Sequence, residues 1–329
     1  MKKWLCFVLC LVLLTGCAPQ RTQFSVNRLD LFDTVINLTA FCNSRDDFDA
    51  QAQKINEQLQ RYHCLFDIYE EYEGIHNLKT VNDAAGKHPI AVDEAIIALL
   101  KDCVRYYELT DGRVNVAMGS VLALWHEARE KKQLPSRDAL QEAAKHTDIT
   151  KLIIDEKNGT VFLSDPAMRL DVGAIAKGWA AQKCAEAAPE GYLLSVGGNV
   201  CATGPKKEDA TPWIVGIQDP NGNDGFLHTL ALSYGSAVTS GDYQRFVELD
   251  GKCYHHIIDP DTLMPSELWR SVTVVCDDSA LADALSTALF ILPLEQGKAL
   301  LEKTGAEAMW VAADGTRHYS AGFQDFIRN

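Results

Sequence analysis

Three Asx-Gly pairs, each set between two runs rich in β-formers, limit the fold more than any other feature of this chain. Asn158-Gly159 separates residues 151–155 from 160–164, Asn221-Gly222 lies between 213–218 and 226–232, and Asp250-Gly251 joins 246–249 to 252–258. A two-residue type I′ turn needs left-handed backbone, which Asx-Gly adopts at little cost, and Asp250-Gly251 abuts its strands most closely. Hairpins mean antiparallel pairing. Further strands are expected at 28–41 (one or two), 192–196, 272–276 and 308–312. Helical spacing marks 46–65, where Phe48, Ala52, Ile55, Leu59, Tyr62 and Phe66 fall at steps of three or four. Helices are also predicted over 93–109, 116–129, 173–187, 279–290 and 293–303, and after the N-cap Ser136. Residues 69–87 are polar and lack a clear period. Strands mixed with helices, without strict βαβ alternation or any repeat, predict an α+β fold with mixed or antiparallel sheets and packed helices.

The first twenty residues are read separately. Lys2 and Lys3 precede an apolar run of eleven residues, 4–14, too short to cross a bilayer and of the length of a secretory signal. Leu14-Thr15-Gly16-Cys17 resembles the bacterial lipobox. The expected organisation is a signal peptide over 1–16, a lipidated Cys17 with a tether over 17–27, and a folded domain over 28–322. Cleavage would remove Lys2 and Lys3 and take the formal charge from −14 to −16. It would also leave seven thiols: Cys42, Cys64, Cys103, Cys184, Cys201, Cys253 and Cys276. They are scattered, lie mostly in apolar segments and form no C-x-x-C, so they read as core residues rather than a zinc site. With 31 Lys+Arg against 45 Asp+Glu and no basic block, a general nucleic-acid binder is excluded.

Three segments carry chemistry. In Arg169-Leu170-Asp171-Val172-Gly173-Ala174-Ile175-Ala176-Lys177-Gly178-Trp179, an apolar strand ends at an acid and a helix begins after a tight turn. Its first N–H groups and Lys177 suit an anion, although an Asp171–Lys177 salt bridge explains the pattern equally well. The spacing Gly173-x4-Gly178 is not a Walker loop, because Trp179 stands where lysine is required. In Ala282-Asp283-Ala284-Leu285-Ser286-Thr287, Asp283 and Thr287 at i and i+4 share one helical face. A carboxylate with a hydroxyl suits Mg²⁺, the bland alternative being a cap and a surface hydroxyl. In the third, Ser240-Gly241-Asp242-Tyr243 leads to His255-His256-Ile257-Ile258-Asp259-Pro260. Adjacent histidines on a strand point to opposite faces, so only one can face a site, and His256 is a candidate proton carrier.

Taken together, Asp-x-Gly-Ala-x-Ala-Lys-Gly, Ser-x-Gly-Gly-Asn, Ser-Gly-Asp-Tyr, His-Ile-Ile-Asp-Pro and Asp-Ala-x-Ser-Thr-Ala occur in this order. The chain resembles the ApbE family, the FAD:protein FMN transferases, from a strand at Leu31-Phe32-Asp33-Thr34 to Leu289. The resemblance implies two intimate subdomains with FAD between them, and transfer of the FMN moiety of FAD to a Thr or Ser of another protein, with AMP leaving. It implies FAD contacts from Asp171, Lys177, Tyr69, Asn115, His256 and Ile257, and a Mg²⁺ held by the carbonyl of Ala174 with Asp283 and Thr287. His256 is the candidate base, with Asp171 or Asp242 as substitutes. Two departures stand out: Val114-Asn115 replaces Phe-Asp, which weakens the ribose or adenine contact expected at Asn115. Thr262-Leu263 replaces Thr-Gly, which predicts an altered turn.

The expected partners are FAD, an acceptor such as an Rnf- or Nqr-type redox subunit or an extracellular flavoprotein, and a membrane reached through the lipid. The expected location is the extracytoplasmic side of a bacterial envelope. Rival readings are a Mg²⁺-dependent FAD pyrophosphatase and a non-catalytic, exported flavin-binding lipoprotein. A flavinylated electron carrier is disfavoured, since the chain holds no Ser/Thr-Gly-Ala-Thr acceptor sequence.

Overall fold

The computed structural model describes residues 21–328 apart from 208, 223, 224, 244 and 250; the expected signal segment and Cys17 lie outside the described residues. In chain order the first half runs β1 (Thr22–Leu31), β2 (Thr34–Cys42), α1 (Arg45–Phe66), α2 (Leu78–Asp83), β3 (Ile90–Ala91), α3 (Glu94–Leu109), α4 (Gly119–Lys131), α5 (Arg137–Ala144), β4 (Leu152–Asp155), β5 (Thr160–Leu163) and α6 (Ala176–Glu186). The second half is β6 (Tyr192–Val196), β7 (Asn199–Ala202), β8 (Trp213–Gln218), β9 (Phe226–Leu232), β10 (Gly235–Gly241), β11 (Phe246–Leu249), β12 (Lys252–His255), β13 (Ser271–Cys276), α7 (Ser279–Ile291), α8 (Leu294–Leu301), β14 (Glu307–Val311) and β15 (Arg317–Tyr319). The α+β class expected from the pattern is the one the chain adopts.

An eight-stranded sheet in the order β1-β2-β6-β7-β10-β13-β14-β15, antiparallel throughout, forms the centre. Its strands send alternate residues to two cores, as the pleat requires. On β14, Ala308 and Trp310 join the main core with α1, α6 and α7, while Met309 and Val311 meet Trp213, Ile217, Leu230 and Phe323 under the β8–β9 ribbon. A third core gathers α4, α5 and the chain after β12, around Trp125, Leu140 and Ile258. The cleft described below opens where the main and third cores meet. Among the described residues no helix is long and apolar enough to cross a membrane.

Several boundaries differ from the sequence pattern. Residues 22–27, read as tether, belong to β1, whose pairs with β2 begin at Thr22 and Cys42. At the other end Phe323, just past the expected domain limit, is fully buried. Leu31-Phe32-Asp33-Thr34 is a hairpin turn rather than a strand, with Phe32 and Asp33 both left-handed at φ 54° and 50°. β10 escaped notice because Gly-Ser-Ala-Val-Thr-Ser-Gly has few large apolar groups, although most of its residues are buried at the centre of the sheet. β7 and β15 are too short to show a period, and the polar stretch 69–87 contains α2, capped by Asn77. The seven described cysteines are free, and Cys253, unlike most of the others, is exposed.

Candidate active site

Local chain geometry builds the site. The segment before α6 is held extended by Asn82, whose side chain donates Nδ2 to the Leu170 carbonyl at 3.0 Å and accepts the Leu170 N–H at 2.7 Å. The Asp171 N–H then donates to the Val116 carbonyl at 2.8 Å. Thus the expected strand is a single clamped segment, and α6 starts at Ala176 instead of 173 after a turn closed by the Gly173 N–H on Asp171 Oδ1 at 2.9 Å. The N-cap residue of α6, Ile175, has no side chain that can cap it, so the helix start depends on groups from elsewhere in the fold.

α7 packs directly on α6 because Gly178 has no side chain. A Cβ there would lie 2.4 Å from the Ser279 carbonyl oxygen and 2.5 Å from Asp283 Cβ. The close approach lets the Gly178 N–H donate to Asp283 Oδ2 at 2.7 Å. Lys177 Nζ stands 4.0 Å from the same oxygen and donates to the Gly173 carbonyl at 3.0 Å. Lys177 therefore serves Asp283 and the turn, not Asp171. Burial raises the Asp283 pKa, against the opposing pull of Lys177, the Gly178 N–H and Asn199. Asp283 is neither cap nor surface group; the cap of α7 is Asp278.

Tyr69, Asn115, Asp171, Ala174, Lys177, His256, Ile257, Asp283 and Thr287 all line one cleft of about 750 Å³, a volume typical of a small-molecule site. Asn115 is the most constrained of them. Its Nδ2 donates to the Thr147 carbonyl and its Oδ1 accepts the Ala117 N–H, both at 2.9 Å, so it chiefly shapes the wall. Asp242 is absent from the lining and instead accepts from Arg270 Nε at 2.6 Å, which removes it as a base. His255 and His256 do diverge: His255 Nε2 bonds the Ser266 carbonyl at 2.6 Å, while His256 faces the cleft. Burial first, then Lys177 and Arg245, lower the His256 pKa to about 3, so its ring is neutral at pH 7. Its Nδ1 is buried without a partner.

The turn at Thr262-Leu263 closes in spite of the missing glycine. Leu263 takes φ 61°, its N–H donates to the Asp259 carbonyl at 2.8 Å, and its carbonyl accepts from Trp125 Nε1 at 2.9 Å. These bonds hold a backbone that leucine rarely adopts.

Sequence reasoning missed several lining groups. His126 and Arg129 sit one turn apart on α4; Tyr69 and His126 share a hydrogen bond, and His126 Nε2 is 4.0 Å from Asp171 Oδ2. Asn199 had a signal, the Ser-x-Gly-Gly-Asn motif. Its Nδ2 donates to the Val196 carbonyl at 3.1 Å, and its buried Oδ1 has no partner. An orphaned oxygen near a buried carboxylate, with Thr287 and Ala174 in the same wall, suits a hard cation or its bound water. Among the described residues no three His, Cys, Asp or Glu side chains gather. A cation here would rest on one carboxylate and neutral oxygens, keeping positions for water and phosphate.

The family model described as ApbE family matches residues 32–310. The chain belongs to the ApbE family. ApbE relatives named FAD:protein FMN transferase include one from Treponema pallidum, 37% identical over 271 residues, covering 76% of this chain and 75% of the relative. Another, from Klebsiella pneumoniae, is 31% identical over 271 residues, covering 80% and 82%. Among solved structures, the ApbE protein from Thermotoga maritima superposes with a TM-score of 0.84 at 30% identity, covering 94% of this chain and all of that one. The flavin transferase ApbE from Vibrio cholerae gives 0.80 at 25%, covering 93% and 99%.

Proposed function

We propose that this cleft transfers the FMN moiety of FAD to a Thr or Ser hydroxyl of another protein in a Mg²⁺-dependent reaction that releases AMP. The observation that carries this reading is the buried Asp283, held beside Lys177 and bonded to the Gly178 N–H in the first turn of α6. Such a cluster gains most from a ligand that brings both phosphate and a cation. The relatives' shared name supplies the flavin and the protein acceptor.

In this reaction the acceptor oxygen bonds to the FMN phosphorus, the pyrophosphate bridge breaks, and AMP departs with the bridging oxygen. Positioning and charge neutralisation do most of the work in such transfers. Lys177 and the first turn of α6 would hold the phosphates. Asp283, Thr287 and the Ala174 carbonyl would hold Mg²⁺, which when bound neutralises charge on the pyrophosphate. Asp171, Tyr69 and Ile257 would line the dinucleotide. His256 would take the hydroxyl proton at Nδ1. In the free protein burial, and after it Lys177 and Arg245, make it a weak base; FAD phosphates would offset the two charges and raise its proton affinity.

Before the domain, Cys17 would carry lipid and tether it to the extracytoplasmic side of a bacterial envelope. There it would meet acceptors such as Rnf- or Nqr-type redox subunits or extracellular flavoproteins.

The test incubates the chain from Ala18 with FAD, Mg²⁺ and a tagged acceptor domain, following covalent flavin fluorescence and AMP. Labelled acceptor with stoichiometric AMP is expected. AMP without label would mean a pyrophosphatase, and neither product a flavin binder. Full transfer by His256→Ala, with loss in Asp283→Ala, would remove the base role and keep the metal role.

A further inference from the structure

β12 ends at His255, and its neighbour His256 faces the cleft. His255 itself is 7% exposed and is bonded on both sides of its ring. Its Nδ1 accepts the Ile257 N–H at 3.2 Å, and its Nε2 meets the Ser266 carbonyl at 2.6 Å. An N–H only donates and a carbonyl only accepts, so the two bonds demand one form of the ring, neutral with its proton on Nε2. Burial favours that form: it pulls the His255 pKa below the ordinary value, against the Ser266 bond and the charges of Asp242 and Glu267. The first bond brackets the candidate base. Its acceptor belongs to the residue before His256 and its donor to the residue after, so a short loop of backbone closes around His256. The second bond ties that loop to α7. Ser266 donates its Oγ–H to the Phe290 carbonyl at 2.9 Å, and the His255 ring stands edge-on to Phe290 with centroids 5.4 Å apart. Phe290 lies three residues after Thr287 on the helix that also carries Asp283. One imidazole thus links the backbone around His256 to the helix that brings Asp283 and Thr287 into the cleft.

We propose that His255 is a positioning residue for the transfer step: by accepting the Ile257 N–H it fixes where His256 presents Nδ1 to the incoming hydroxyl, and by bonding Ser266 it anchors that position against α7. The inference rests on the reading of His256 as the base and adds what aims it. The His256 ring cannot be aimed through Nδ1 itself, which is buried and has no partner among the described residues. A base has to stand within hydrogen-bond reach of the proton it takes. A misplacement of about 1 Å at such a group costs about 10²-fold in rate. A side chain that only filled space would need neither bond. Phenylalanine at this position would still meet Phe290, but it would leave the Ile257 N–H and the Ser266 carbonyl without these partners.

Two substitutions separate the bonds. In His255→Asn the side-chain carbonyl oxygen takes the place of Nδ1 and still accepts the Ile257 N–H, but nothing reaches Ser266. In His255→Gln the amide NH₂ reaches the place of Nε2, and the Ile257 N–H loses its acceptor. Transfer with FAD, Mg²⁺ and the tagged acceptor domain is measured beside urea midpoints. His255→Gln is expected to lose about 10²-fold in kcat with KM for FAD unchanged, while His255→Asn keeps most of its kcat at a lower midpoint. A kcat that follows the midpoint through both variants overturns the proposal, because the ring would then only fill space. So does a wild-type kcat in His255→Gln, or a rise in KM for FAD in place of the fall in kcat. Nitrogen-15 NMR of the histidine rings in the wild type needs no variant. A proton on Nε2 of His255 and none on Nδ1 is expected at pH 7, and a proton on Nδ1 overturns the proposal. Full transfer by His256→Ala removes the base reading and this one with it. Loss of transfer there, beside an unaffected His255→Gln, removes the positioning role alone. If the wild type labels no acceptor and releases no AMP, the flavin-transfer reading fails and both roles fail with it.

Discussion

At the scale of residues, Asp283 is a carboxylate kept in a place that penalises its charge. Its folded pKa lies above the ordinary value of 3.8, so its contribution to stability is fully present below pH 3.8 and lost as pH rises through the folded value. At pH 7 the charge is a net cost to the free fold. Asp283→Asn should therefore melt higher than wild type at pH 7, with the gap closing under strongly acidic conditions, while transfer falls by about 10²-fold or more. Paired thermal melts and an AMP assay check both halves. His256 works in the opposite sense. Its folded pKa near 3 lies below the unfolded 6.5, so the stability it contributes is present above pH 6.5 and fades as pH falls toward 3. His256→Asn should flatten that acid limb, which chemical denaturation at several pH values would reveal.

At the scale of elements, the site depends on how α6 meets α7. The carboxylate reaches the Gly178 N–H only because residue 178 has no Cβ. In Gly178→Ala the obstructing atoms are a backbone carbonyl and the first carbon of Asp283, neither of which can swing away. The two helices must part, at a cost of about 1–3 kcal/mol. Transfer should fall together with stability, because Asp283 moves away from Lys177 and the start of α6. Urea titration of the variant, set beside its transfer activity, measures the coupling. A variant with wild-type midpoint and activity would show that the contact is slack. Asn82 acts comparably on the other side of the turn, clamping both backbone groups of Leu170 from a helix 88 residues away in sequence.

At the scale of the whole molecule, the sheet runs from edge to edge beneath the site, so its ends matter. β1 pairs with β2 from Thr22 onward, and Phe323 closes the core under the β8–β9 ribbon. A chain beginning at Arg28 should melt lower than one beginning at Ala18, because it loses six of the ten residues of this edge strand. Phe323→Ala should cost about 3–5 kcal/mol. Differential scanning calorimetry of the shortened and substituted chains tests both, and unchanged midpoints would mean that the termini are ornamental.

Much of this was written in the chain. Hairpins announced themselves through Asx-Gly, long helices through their spacing, and two cleft-lining oxygen groups through Asp283 and Thr287 one turn apart, because each signal depends on a few neighbouring residues. Tertiary structure alone decided that Lys177 turns to Asp283 rather than Asp171, that Asp242 belongs to Arg270, and that Asn199 leaves an oxygen bare. It also brought Arg129 and Arg245 into one cleft from segments 116 residues apart in sequence. Such pairings depend on where the sheet and the α6–α7 contact carry distant segments, and no local pattern encodes that distance.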